Sequence, residues 1–226
     1  MKRFLVLLLA LILVIPPMSA SAGFNKHLPT ALMTMKFQCG CSGKGCGVMV
    51  GRYGLLTAGH NLYCRYHGQG LKSCEFLFGA TSAYVGKRKY YNGFRYVVYD
   101  TFRKGYSPDW DIGYVIFKYD VGKNTGWYNP RVASDKDLKN RGAHIAYYNN
   151  SYRFGDDFMT NVSVKDSTLL YLSEYPSGDC AGPVFLWDND MAYVIGVVTA
   201  KSDGTVYATR LTQQVYDDMR NDGAFD

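Results

Sequence analysis

Helix-forming runs are rare in this chain, and that scarcity constrains the fold most. Short apolar or alternating segments recur in their place, each broken after a few residues by glycine, asparagine or aspartate. Period-two alternation in short runs is the signature of strands, and closely spaced turns join them into antiparallel sheets. The segments predict strands near 47–50, 54–57, 74–78, 82–90, 94–101, 112–118, 143–148, 153–164, 168–172, 183–187, 192–199 and 204–209. "YYNGFRY" predicts a hairpin, with Asn92-Gly93 supplying the positive-φ turn. "LWDNDMAYVIGVVTA" predicts another, tipped by Asp188 to Asp190, and "KSDGTVYATR" turns again at Asp203-Gly204. Only the last stretch has a different period. Leu211, Val215 and Met219 recur at steps of four behind Thr212, so a helix is expected from about 212 to 221. The fold class is therefore all-β, a barrel or sandwich, with a C-terminal helix. A seam near 119–129, "YDVGKNTGWYN", divides it.

The amino end reads as an export signal. Met-Lys-Arg is followed by an apolar run from Phe4 to Val14 and by small residues. Ala20-Ser21-Ala22 fits cleavage after Ala22, so residues 1–22 are expected to be a signal peptide and the protein to be secreted or periplasmic. No later segment is apolar for long enough to cross a membrane, so none is expected to remain after signal removal. Loss of Lys2 and Arg3 takes the 25 basic residues to 23, against 19 acidic ones. That charge is mild and undivided, with no dense basic track for nucleic acid.

All six cysteines lie beyond the signal, and export favours disulfides over free thiols. Cys39, Cys41, Cys46, Cys64 and Cys74 crowd into 36 residues, while Cys180 stands more than a hundred residues away. Parity is awkward. Three disulfides would enlist Cys180, and a free Cys180 leaves one of the other five unmatched. Disulfides among the five are expected. The rival is zinc, since "CGCSGKGC" with Cys64, His67 and Cys74 brings Cys and His close in sequence; four thiolates from Cys39, Cys41, Cys46 and Cys64 are conceivable, although Cys39-x-Cys41 is tight for a conventional knuckle. His67 and His144 read as structural histidines, and neither a metal nor an organic cofactor is expected.

Three polar groups sit at the edges of β segments. "GLLTAGH" places His60 after one strand, "SPDWDIGYVIF" places Asp111 before another, and "SGDCAGPVF" places Cys180 before a third. Acyl transfer needs a nucleophile, a base and a group that orients the base, and these are the right residue types. Asp109 is a second candidate for the acid. Glycines near Cys180 allow the N–H groups of Gly178 and Cys180 to converge as an oxyanion hole.

"LLTAGH", "DWDIGYV" and "GDCAGPV", in this order, resemble the signature of trypsin-like, chymotrypsin-fold proteases. "GVMVGRYGLLTAGH" looks most like the bacterial glutamyl-endopeptidase-like branch. The resemblance implies a double β-barrel with a cleft between the barrels, the first within 23–124 and the second, with the helix, within 125–226. It implies a secreted endopeptidase with His60 as base, Asp111 as orienting acid and Cys180 where the family carries serine. The substrate would be a polypeptide. By the same pattern Glu174 falls at the base of the specificity pocket, Thr199 on its wall and Lys201 near its mouth. Asp179 matches the residue that receives a new amino terminus on activation, here Gly23 or Thr30, which would call for an activating protease. Cys46 with Cys64 resembles the bond that staples the histidine loop; Cys64 with Cys74 is the other pairing. The cysteine departs from the family pattern, and so does the alanine after it. Two alternatives therefore stand beside an active thiol enzyme: a protease-fold binding protein with weak or no catalysis, and a serine protease carrying an engineered Ser-to-Cys replacement at 180.

Overall fold

The computed structural model describes residues 29–79, 93–138, 141–148, 154–159, 162–164, 169–173, 180–189, 191–202 and 205–226. The expected signal peptide, the strand at 82–90, Glu174, Gly178 and Asp179 lie outside the described residues.

The first sheet is built from β1 (Thr30–Phe37), β2 (Ser42–Met49), β3 (Gly54–Thr57), β4 (Tyr63–Cys64), β5 (Gln69–Phe78), β6 (Phe94–Val98) and β7 (Gly113–Phe117). Its strand order is β4-β5-β1-β2-β3-β7-β6. Phe76 on β5 and Phe94 on β6 lie far apart in that order, yet their rings meet edge-on at 5.4 Å. The sheet is therefore rolled up around an apolar interior. Short helices α1 (Asp100–Gly105) and α2 (Gly122–Thr125) lie along the chain before and after β7.

The second sheet follows the segment expected as a seam. Its members are β8 (Asn129–Pro130), β9 (Ala143–Tyr148), β10 (Phe154–Met159), β11 (Val162–Val164), β12 (Leu169–Ser173), β13 (Cys180–Asp188), β14 (Met191–Ser202) and β15 (Thr205–Arg210). The order is β10-β9-β13-β14-β15-β12-β11, with β8 paired in parallel to β14. Helix α3 (Asp135–Leu138) precedes β9, and α4 (Gln213–Asn221) closes the fold. Buried Arg210 holds α3 in place, bonding Asp135 at 2.7 Å and the Ala133 carbonyl at 2.6 Å.

Among the described residues, strand alternation sorts most buried side chains into three large cores. Met33, Met49, Leu55, Phe76, Val115 and Phe117 fill the first rolled sheet. Ile145, Leu170, Val184, Leu186, Ile195 and Val206 fill the second. The neighbours of these residues point the other way. Val48, Leu56, Tyr114, Ile116, Ala146, Phe185 and Val194 form a third core between the sheets. Strands buried on both faces must be apolar throughout, which is why "GYVIF" and "AYVIGVV" show little alternation.

Helix α4 packs on the shared core through Val215 and Met219 and is capped by the Thr212 hydroxyl, which accepts from the Val215 N–H. The tail then returns to the first sheet. The Ala224 carbonyl accepts from the N–H groups of Tyr53 and Gly54, at 3.2 and 2.9 Å. A Cβ on Gly54 would lie 2.5 Å from that of Ala224, so the close approach requires glycine.

Several strand expectations shift. β1 carries Met33, Met35 and Phe37 inward, yet it lies ahead of the first strand read from the sequence. The segment expected to stay extended to residue 101 turns into α1 at Asp100. The run at 153–164 forms two strands, β10 and β11.

Candidate active site

His60 lies just beyond β3. Thr57 ends the strand, and Gly59–Asn61 make one turn of 3-10 helix that swings the imidazole out. The turn is anchored from behind. The Thr57 hydroxyl donates to the Cys46 carbonyl at 2.7 Å, and the Asn61 amide donates to the Thr57 hydroxyl at 2.9 Å. Both groups are buried, so these bonds hold the turn against movement.

Asp111 comes from the other side of a short connection. Pro108–Trp110 form a 3-10 turn, and the Pro108 carbonyl accepts the buried Thr209 hydroxyl of β15 at 2.7 Å. Asp111 grips His60 twice. Its Oδ1 accepts the His60 backbone N–H at 2.7 Å, and its Oδ2 meets Nδ1 at 2.8 Å. A carboxylate accepts only, so Nδ1 carries the proton and Nε2 faces away. The Asp111 side chain is 10% exposed and that of His60 is 42% exposed. The acid is thus buried behind a ring that opens to solvent. Gly59 makes the approach possible, because a Cβ there would lie 3.1 Å from both Asp111 Oδ1 and Phe102 Cδ1. Of the two candidate acids, it is Asp111 rather than Asp109 that meets the ring.

For Cys180 the structure describes the backbone. It is the first residue of β13, paired with Tyr148 of β9. Two residues on, Gly182 packs against the first sheet. A Cβ there would lie 2.8 Å from the Ala146 carbonyl oxygen and 3.0 Å from the Cys46 Cβ. Cys46 is the same residue whose carbonyl anchors the turn around His60. Tyr148, fully buried, donates its hydroxyl to the Thr30 carbonyl at 3.1 Å and closes the same seam. Gly182 of β13 and the histidine turn therefore both lie against one residue, Cys46.

Of the expected pocket residues, Thr199 stands at a bulge in β14 and gives its hydroxyl to the Tyr207 carbonyl at 3.4 Å. Lys201 lies two residues further on, exposed, opposite Val206.

The cysteines depart from expectation. Cys39, Cys41, Cys64 and Cys74 are free thiols, so neither Cys46–Cys64 nor Cys64–Cys74 is formed. Cys46 is buried with Leu32, Leu77 and Tyr148, in a different cluster from Cys64. Cys74 is buried as well, which pushes its thiol pKa up. Cys39, Cys41, Cys64 and His67 converge instead, their ligand atoms all within 4.8 Å of one another. The hydrogen bond that Cys41 donates to Cys39, with burial and the nearby Cys64, pushes the Cys41 thiol up to about 11. The sequence puts all four in one Cys/His-rich stretch with Cys46 and Cys74, but the four-thiolate set read from it takes Cys46 in place of His67. The pairing depends on two hairpins meeting, which no local pattern reveals. His144, read as structural, stacks on Phe185 at 5.3 Å.

No protein-family model and no curated protein matches the chain. Solved structures do. A Glu endopeptidase aligns with a TM-score of 0.69 at 15% identity, over 88% of this chain and 92% of its own. A thermostable serine protease from an extremophilic microorganism aligns with a TM-score of 0.71 at 11% identity, over 88% and 97%. An inactivated protease paralogue of the scabies mite aligns with a TM-score of 0.64 at 13% identity, over 86% and 93%. At such identities the likeness is one of fold. The chain has the chymotrypsin-like double barrel with its C-terminal helix.

Proposed function

We propose that this protein is an exported endopeptidase that cleaves peptide bonds through Cys180, His60 and Asp111. The observation that carries the reading is the pair of hydrogen bonds from His60 to buried Asp111, which leaves Nε2 facing outward. That arrangement stabilises an imidazolium and fixes its tautomer, which a base serving a nucleophile requires.

In the proposed reaction His60 Nε2 takes the thiol proton and the Cys180 sulfur attacks the peptide carbonyl carbon. The backbone N–H groups of Gly178 and Cys180 donate to the oxyanion. The tetrahedral intermediate collapses as His60 returns the proton to the leaving amine, which gives a thioester. Water, deprotonated by the same nitrogen, then attacks the thioester carbon. The product carboxylate leaves and the thiol is restored. Glu174, Thr199 and Lys201 are the proposed specificity residues. Because Thr199 already donates its proton to Tyr207, its hydroxyl would meet a substrate as an acceptor.

Digestion of a diverse peptide mixture by the mature protein, read by mass spectrometry, tests the reading. Defined cleavage that disappears with Cys180→Ala supports it; cleavage undiminished in that variant rules out the nucleophile. A second reading is a binding protein on a protease fold, and the inactivated paralogue among the structural neighbours favours keeping it. No cleavage by folded, processed protein selects that reading. Cys180→Ser reports on the origin of the cysteine: a gain in activity marks a site built for oxygen, a loss one built for sulfur.

A further inference from the structure

We infer that Cys39, Cys41, Cys64 and His67 bind one zinc ion in a closed, structural Cys3His site. Two hairpin turns supply the ligands in pairs. Between β1 and β2 the chain turns at Gln38-Cys39-Gly40, with Gly40 at φ +89° and the Phe37 N–H donating to the Cys41 carbonyl at 2.8 Å. Between β4 and β5 it turns at Arg65–Gly68, with Gly68 at φ +64° and its N–H donating to the Cys64 carbonyl at 2.8 Å. Both positive-φ positions are held by glycine, which takes that conformation without strain. The Gln38 N–H reaches the Gly70 carbonyl at 3.1 Å and ties one turn to the other.

The spacing suits a tetrahedral ion. Zinc–sulfur bonds of about 2.3 Å and zinc–nitrogen bonds of about 2.0–2.1 Å place a sulfur and a nitrogen ligand about 3.6 Å apart. Cys41 Sγ lies 3.4 Å and Cys64 Sγ 3.6 Å from His67 Nδ1. Three sulfurs and one imidazole nitrogen form a soft donor set that favours zinc over magnesium or calcium. Four protein ligands leave no position for substrate, so the site is structural.

Its place in the fold gives it a task. Cys64 follows His60 by four residues, and Cys39 and Cys41 sit in the β1–β2 turn. The ion would clamp the outgoing segment of the histidine turn to that hairpin, where a disulfide was expected. The parity problem also disappears. Three cysteines are spent as ligands, and Cys180 needs no partner.

Zinc content of the full mature chain, purified without chelator, tests the assignment, with zinc-edge X-ray absorption on the same sample. The expected result is about one zinc per chain, with three sulfurs near 2.3 Å and one nitrogen near 2.0 Å. His67→Ala and Cys41→Ser should lower occupancy at least about tenfold, whereas Cys74→Ala and Cys180→Ala should keep it. Because Cys180→Ala is scored by metal alone, the site stands or falls separately from the protease reading. If a ligand variant does not fold, cobalt(II) titration of the wild-type chain decides. Sulfur-to-cobalt charge transfer and tetrahedral d–d absorption saturating at one equivalent support the site. Their absence overturns it. So do less than about a tenth of a zinc per chain after zinc-supplemented refolding, and a disulfide joining any of the three cysteines.

Discussion

Asp111 and Gly59 work as a pair: one holds the ring and the other makes room for the hold. Asp111→Asn keeps the size of the side chain but allows the wrong imidazole tautomer. We expect kcat/KM for peptide cleavage to fall on the order of 10²-fold. That is well short of the ~10⁴ known for a serine triad, because a thiolate depends less on the acid. A circular-dichroism spectrum matching the wild type would separate this from unfolding. Gly59→Ala sets a methyl 3.1 Å from the Asp111 carboxylate and the Phe102 ring. It should cost about 1–3 kcal/mol in denaturant unfolding and weaken turnover by pushing the acid off the ring. At this scale the sequence was legible where a residue sits beside its own strand. His60 and Asp111 could be read from flanking strands, with "TAGH" and "DIGYV" as guides. The grouping around His67 was legible only in part: Cys64 lies three residues before it, but Cys39 and Cys41 sit on a hairpin more than twenty residues earlier and the fold alone brings them in.

Strands and helices were legible in proportion to how one-sided their environment is. The period of four in α4 survived because the helix buries one stripe, Val215 and Met219. β1 is hard to read because its alternation is softened by buried Thr30 and Ala31. The expected strand at 94–101 runs two residues into what is α1, through Asp100 and Thr101. The chain turns helical there, with buried Phe102 as its one anchor and Tyr106 in the left-handed region closing the turn. The tail of α4 carries a pH prediction. The Arg95 guanidinium holds the Asp222 carboxyl below the usual carboxylate range, and the Tyr114 hydroxyl adds to the effect. A carboxyl lowered on folding stabilises the protein above its unfolded pKa of about 3.9 and loses that contribution as pH falls through the lowered folded value. Asp222→Asn should therefore lower unfolding free energy at neutral pH by up to about 1 kcal/mol, since half-exposed Arg95 is screened by solvent. The difference from wild type should vanish in strong acid. A difference that grows on acidification would contradict this account.

At the scale of the whole molecule a third core joins the two barrel interiors. Phe185, fully buried, stacks on Tyr128 at 5.4 Å and on His144 at 5.3 Å, where the second sheet meets the first. Phe185→Ala should cost about 3–5 kcal/mol, and a single cooperative transition should persist if the two sheets unfold together. Two separate transitions would show that the shared core does not couple them. Closely spaced strands and turns made the all-β class readable, and the double barrel was what the resemblance carried by the three site segments implied. How the barrels lean together was not, because that contact rests on side chains such as Tyr148 and Phe185 that look like ordinary strand residues. The functional account rests on a nucleophilic sulfur at Cys180 served by the His60 ring. The most direct measurement is labelling of the folded, processed protein with a thiol-reactive peptide probe, mapped by mass spectrometry. The account predicts modification at Cys180 that is lost in His60→Ala. No modification at Cys180, or modification unaffected by loss of the imidazole, would contradict it.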